Sequence, residues 1–346
     1  MATLDGFKAP TPAAQPPKGP LTWPVYGLLR AISLLACVLP PGVVYAFGAT
    51  LGAGFYALCL WREPKQNRRH RGALRNMRIA FGGHLDEAAR RRVLWDSCLH
   101  VGALAIEVLR LPLLNTKRFR RWVDVREFEP LFERFEQGGV ICASGHFGNW
   151  ELLGTGAAHL LPLTTLARPC PEAGLERWLR GIREGAGQRL LNKYGGLWPA
   201  KKALQRGQAL ALNTDENARR GEWVPFCGVL AGTNVSAALL QRFTGCPIVV
   251  ASAHRVRRER WRVHVWAVID PDPEATDPQA EALRVTSAIA AAFEATLRRY
   301  PAQWLWSFRR WESRPPGEAM DAEGLPPRVG PALRPEGSGA RRAGEL

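Results

Sequence analysis

Apolar positions in this chain change their spacing twice. From residue 21 to 60 they are nearly continuous, broken only at Pro40-Pro41-Gly42. The second half of that run, residues 43–61, carries no charge and has about the length that crosses a hydrocarbon layer. Gly48, Gly52 and Gly54 give it small faces suited to packing against lipid or another helix. A buried hairpin of a soluble core would share this pattern. We expect membrane insertion or deep interfacial docking, with Trp23, Tyr26 and Trp61 at the interface. The spacing then becomes helical. A basic helix is predicted over about 65–81 and an amphipathic one over about 85–109, with Val93, Leu94, Leu99, Val101, Leu104 and Val108 recurring on one side.

From about residue 122 short apolar runs alternate with helical patterns. Strands are predicted around 123–125, up to Ser144, at 163–167, 209–213, 247–254 and 262–269. Helices are predicted at 127–137, from Asn149, and at 172–191, 233–243 and 279–299. This is an α/β fold with a mixed, mainly parallel sheet flanked by helices, an antiparallel pair near the end and an N-terminal membrane-associated helical segment. The expected divisions are 1–20 disordered, 21–61 membrane-associated, 62–110 helical platform, 111–314 α/β domain and 315–346 a disordered tail rich in Pro, Gly and charge.

Candidate chemistry follows the strand ending at Ser144. In Gly145-His146-Phe147-Gly148-Asn149-Trp150-Glu151 the glycines give a tight turn, and Asn149 is placed to cap the next helix. His146 then sits at the carboxyl edge of the sheet, and Glu151 in the first helical turn is expected to reach back to its ring. A neutral histidine held by a carboxylate is a general base aimed at a hydroxyl. Taken alone, His-x4-Glu is a common spacing and reads equally well as a polar turn before a capped helix. Its position between a buried strand and a helix favours the chemical reading. No Gly-x-Ser-x-Gly elbow is present, so the hydroxyl belongs to a substrate rather than to the protein. Arg168 and Asp215 also follow predicted strands, where sites in such sheets form.

Charge narrows the partners. A formal net charge of +16 over 346 residues attracts anions, and the basic residues concentrate at 62–92, just after the apolar run. That layout suits an anionic membrane surface. There is no zinc-finger spacing, RNP-type aromatic motif or basic zipper, so nucleic acid is not expected. The seven scattered cysteines form no Cys-x2-Cys pair, which implies neither a disulfide framework nor structural zinc. No metal and no cofactor are expected.

With these blocks in place, the chain resembles the bacterial lipid A late acyltransferases, within the lysophospholipid-acyltransferase-like group marked by His-x4-Asp/Glu. The resemblance runs from about 43 to 314. It rests on residues 144–151, on Arg168-Pro169, and on Arg183 where the family has a further functional arginine. It also rests on Asn213-Thr214-Asp215-Glu216-Asn217 with the block 224–228, and on Gln303-Trp304-Leu305-Trp306 with Arg309-Arg310-Trp311. Glu216 stands where glutamine is usual, and Cys227 where an aromatic is usual.

The resemblance implies a membrane-bound O-acyltransferase on the cytoplasmic face of a bacterial inner membrane, acting in lipid A (lipopolysaccharide) biosynthesis. It would move a fatty acyl chain from a thioester to a hydroxyl of a lipid A precursor. It implies acyl-carrier protein as donor, and the basic surface suits coenzyme A thioesters nearly as well. His146 and Glu151 are the expected catalytic residues. Arg168, Arg183, Asp215 and Asn149 are the expected substrate-binding residues, the arginines taking phosphate and Asp215 orienting one of them. The departures at 216 and 227 leave another glycolipid or a lysophospholipid open as acceptor. A non-catalytic membrane-surface adaptor is the alternative outside enzymes.

Overall fold

A computed structural model describes residues 20–61, 68–258 and 260–336. Eleven α-helices and nine strands are present among them. The helices are α1 Thr22–Val38, α2 Pro41–Trp61, α3 Arg68–Phe81, α4 Glu87–Glu107, α5 Thr116–Trp122, α6 Phe132–Gln137, α7 Trp150–Ala157, α8 Ala173–Gly185, α9 Leu197–Gln205, α10 Ser236–Thr244 and α11 Pro278–Arg299. The strands are β1 Val123–Asp124, β2 Val140–Ser144, β3 Leu163–Ala167, β4 Arg189–Asn192, β5 Ala209–Asn213, β6 Glu222–Phe226, β7 Val229–Thr233, β8 Ile248–Arg257 and β9 Arg260–Ile269.

Seven strands form one sheet in the order β1-β9-β8-β2-β5-β3-β4, and β6 pairs with β7 in a separate hairpin. All contacts in the large sheet are parallel except β8 with β9. The α/β expectation and its late antiparallel pair therefore hold. Alternation along the strands splits the interior into two cores. Ile141, Leu210, Leu212, Ile248 and Val250 enter one, while Val140, Ala209, Val249 and Ala251 enter the other. A sheet buried on both faces explains why these strands read as continuous apolar runs.

Several elements differ from expectation. The helix predicted to Leu191 ends at Gly185, where Gly187 adopts φ +97° and the chain re-enters the sheet as β4. The helix expected over 127–137 keeps only α6, because Pro130 starts a 3-10 turn ahead of it. The β6–β7 hairpin was not foreseen, and Thr233 belongs to it rather than to α10. Residues 315–336, expected as disordered, pack on the domain. Leu333 is buried, its amide donates to Ala80, and the Arg328 guanidinium donates to the carbonyls of Ile79 and Cys227. The segments 1–19 and 337–346 lie outside the described residues, as do 62–67 within the basic cluster.

Helix α2 lies along α4. Its buried residues Val44, Gly48, Gly52, Tyr56 and Cys59 form one stripe. Backbone meets backbone there: a Cβ on Gly52 would stand 2.1 Å from the Cys98 carbonyl oxygen, and one on Gly102 would stand 2.3 Å from that of Gly48. The other side carries exposed Val43, Phe47, Leu51, Phe55 and Trp61. Helix α1 packs on α8, with Arg177 over the Trp23 ring at 4.2 Å, and turns Leu28, Leu34, Leu35 and Val38 outward. By length and composition α2 could cross a membrane. Gly52→Leu should force α2 off α4. The expected cost is about 1–3 kcal/mol, read as a lowered thermal midpoint and faster proteolysis near Pro40.

Candidate active site

The carboxyl ends of β2 and β5 lie side by side, with Ser144 paired to Asn213. The two loops that leave them carry His146 and Asp215. Continuation of β2 into α7 depends on Gly148, whose φ is +55°. A Cβ there would sit 1.8 Å from the Ala253 carbonyl oxygen of β8. Only glycine fits that approach. Asn149 then caps α7, its Oδ1 accepting from the Leu152 amide at 2.8 Å.

The histidine's carboxylate partner is Asp215. His146 Nδ1 donates to Asp215 Oδ1 at 2.9 Å, and the His146 amide donates to Oδ2 at 2.8 Å. Trp304 Nε1 also donates to Oδ2, at 2.9 Å. Asp215 is 0 % exposed, so this carboxylate is fully desolvated yet accepts three N–H groups. Burial would raise its pKa, but the imidazole beside it and these hydrogen bonds hold it below the ordinary value. Burial likewise pulls the His146 ring down, and the charge and hydrogen bond of Asp215 overcome that and raise it above its ordinary value. With Nδ1 committed, Nε2 is left to take a proton. Asn213 Nδ2 stands 3.5 Å from it, and the Phe308 and Trp150 rings meet the imidazole edgewise at 4.4 and 5.0 Å.

Glu151, expected to reach back to the ring, is engaged elsewhere. Arg183 Nε and Nη2 donate to its two oxygens at 3.0 and 2.5 Å, joining α7 to α8 in a half-buried fork. A carboxylate at the start of α7 points along the helix surface toward α8, while Asp215 enters from the neighbouring strand. Both expectations, Glu151 on the histidine and Asp215 on an arginine, are therefore corrected. Arg168 follows β3, is exposed, and has no hydrogen bond or ion pair among the described residues. Asn149 is buried and occupied as a cap, so its observed contact is structural.

Sequence reasoning missed how the closing segment braces the motif. Gln303 accepts from the Gly148 amide and His146 accepts from the Leu305 amide, while Trp304 stacks on Phe147. From α4, Ser97 donates to the Trp304 carbonyl and His100 Nε2 donates to Gly148. Burial and the nearby Arg255 push the His100 pKa down to about 3, so that ring is a neutral donor. Arg310 is 2 % exposed and donates to Gly232 and Thr233, fixing the β6–β7 hairpin beside the site. The blocks at 303–311 were visible in the sequence as apolar and basic residues, but their contacts were not.

The two positions that depart from the resembled pattern also find partners. Glu216 takes Lys193 Nζ at 2.7 Å across the loops after β5 and β4. Cys227 adopts φ +55° in the β6–β7 turn, with its amide on Glu294 and its carbonyl accepting from Arg328. Among the described residues no group of histidine, cysteine and carboxylates is arranged to hold a metal.

Residues 12–313 match the family model described as bacterial lipid A biosynthesis acyltransferase, and the chain belongs to that family. It is 25 % identical over 304 residues to the lipid A biosynthesis palmitoleoyltransferase of Escherichia coli, covering 86 % of this chain and 93 % of that one. The lipid A biosynthesis lauroyltransferase of the same organism is 25 % identical over 301 residues, with the same coverage. A phosphatidylinositol mannoside acyltransferase of Mycolicibacterium smegmatis is 26 % identical over 212 residues, 59 % of this chain and 67 % of that one. This chain is an acyltransferase by family.

Replacing Asp215 by Asn removes the main charge that raises the ring pKa, so that burial and Lys193 act against Glu216 alone. The His146 pKa of Asp215→Asn should fall below that of an ordinary histidine, as followed by ¹³C-histidine NMR across a pH titration. An unchanged titration would mean that Asp215 does not control the ring. Glu151→Gln should leave His146 titrating as in the wild type.

Proposed function

We propose that the protein transfers a fatty acyl chain from a thioester to a hydroxyl of a lipid A precursor, with His146 as general base and Asp215 as the group that orients it. The observation that carries this reading is the pairing of Nδ1 with a buried carboxylate, which leaves Nε2 as the proton-accepting nitrogen, with Asn213 Nδ2 at 3.5 Å. Nε2 takes the acceptor's hydroxyl proton as the oxygen attacks the thioester carbonyl carbon. Asp215 stabilises the imidazolium. The tetrahedral intermediate then collapses with cleavage of the carbon–sulfur bond, and the ring returns its proton to the leaving thiolate. No acyl-enzyme is needed. Proton transfer of this kind contributes about 10²–10⁴-fold.

Phosphate on the acceptor or donor would be met by Arg168, which is exposed and unpaired, and by Arg183, whose Nη1 has no partner among the described residues. The Glu151–Arg183 fork sets the position of that arginine. The donor is acyl-carrier protein or a coenzyme A thioester, in keeping with the basic surface. The outward apolar sides of α1 and α2 support a lipid-facing reading of this surface, and the reading we adopt sets the protein on the cytoplasmic side of the inner membrane. Similarity to a phosphatidylinositol mannoside acyltransferase makes a mannosylated lipid the second choice of acceptor.

Lipid extracts from cells lacking the gene, complemented with the wild type or with His146→Ala, decide the matter by mass spectrometry. The wild type should add one acyl mass to a lipid A precursor, and His146→Ala should lose at least about 100-fold of that product. A shifted mass on another glycolipid would replace the acceptor. No lipid change at all would contradict the enzymatic reading.

A further inference from the structure

On the flank of the sheet away from Arg183, the end of β8, the start of β9 and the short β1 fold around a recess of about 430 Å³. Six arginines line it, Arg120, Arg121, Arg126, Arg257, Arg260 and Arg262, against two carboxylates, Asp124 and Glu129. Both carboxylates are already engaged. Asp124 takes Arg126 at 2.6 and 2.9 Å and Arg262 at 3.1 Å, and Glu129 takes Arg120 at 3.0 Å. Arg260 donates to the Arg121 carbonyl, which leaves its charge uncompensated. The exposed side chains of Arg121 and Arg257 have no hydrogen bond or ion pair among the described residues. Glu259 lies outside the described residues, and one more carboxylate would still leave cations in excess.

The recess also has a definite position relative to the apolar surface. Arg255 and Arg258, in the same β8–β9 hairpin, lie over the Tyr45 ring of α2 at 5.0 and 5.4 Å. Val43 and Phe47, on either side of Tyr45, are 50 % and 56 % exposed. The β8–β9 hairpin that carries Arg257 and Arg260 therefore reaches the margin of the face that meets lipid, where a bilayer presents its phosphate layer. Trp122 in the recess wall, partly exposed, is an amphipathic ring suited to that depth. An acidic protein would also meet the charge, but it would not account for the adjoining apolar face.

We propose that this arginine-lined recess binds the phosphate of an anionic membrane phospholipid, at a site separate from His146, and thereby fixes how the protein sits on the bilayer. The proposal rests on the lipid-facing reading of α1 and α2 and is independent of the chemistry at His146.

The test uses the full-length protein in co-sedimentation with vesicles of phosphatidylcholine, with and without phosphatidylglycerol. The wild type should bind the mixed vesicles more tightly. The double variant Arg121→Gln/Arg257→Gln should lose about 30-fold of that affinity, at roughly fivefold per basic residue near the surface. It should keep its binding to pure phosphatidylcholine, which also reports that it folds. Arg206→Gln/Arg242→Gln, which removes the same charge near the start of β5 and the far end of β9, should change little. Equal losses in the two double variants would reduce the effect to the overall field and overturn the recess. Binding of inorganic phosphate by the wild type but not by the double variant, with the two binding mixed vesicles equally, would overturn the lipid as its ligand. Failure of the wild type to bind either vesicle would overturn the lipid-facing reading together with the recess, and leave the reaction at His146 to its own test.

Discussion

Asp215 carries a negative charge with no access to water, and three N–H groups converge on it from two distant parts of the chain. Two come from the amide and ring of His146, and one from the indole of Trp304, 89 residues further along. A buried charge of this kind is costly unless its hydrogen bonds are complete. The site is therefore assembled only when β2, β5 and the closing segment are all in place. The same contacts set the tautomer of His146 and the direction of its free nitrogen.

Much of the surrounding structure serves that arrangement. The parallel pairing of β2 with β5 brings the two loops to one edge, and Gly148 lets the first loop pass close to β8. Helix α4 holds the motif through Ser97 and His100, and its other side receives α2 by glycine-mediated contact. The apolar outer face of α2 is thus connected to the histidine through a single rigid helix. Electrostatically the site divides its work between two carboxylates. Asp215 raises the proton affinity of His146, whereas Glu151 holds Arg183 between α7 and α8. A stronger base is also protonated at higher pH, so the reaction should need a pH above the raised pKa of His146.

What the sequence made legible was local. A buried strand, two glycines, the Asn149 cap and the following helix could be read from residues within a dozen positions of one another, and so could the apolar run of α2. The parallel sheet followed from the alternation of strands and helices. What failed was the assignment of partners. The five-residue spacing of His146 and Glu151 suggested a contact that helix geometry turns toward α8, while the actual partner arrives from 69 positions away on the loop after an adjacent strand. The Glu151–Arg183 and Trp304–Asp215 contacts are non-local in the same sense. Residues 315–336 were misread because proline, glycine and charge mark disorder as readily as a segment held by side-chain bonds such as those of Arg328.

The central claim is that Asp215, and not Glu151, governs the base. The most direct measurement is the pH dependence of acyl transfer from a thioester to the purified lipid acceptor, compared for the wild type, Asp215→Asn and Glu151→Gln. Activity should fall on acidification as His146 becomes protonated. Glu151→Gln should keep that acidic limb in place while weakening KM through Arg183. Asp215→Asn should lower kcat steeply and move what remains of the limb to lower pH. A limb that moved with Glu151→Gln and stayed fixed with Asp215→Asn would contradict the account.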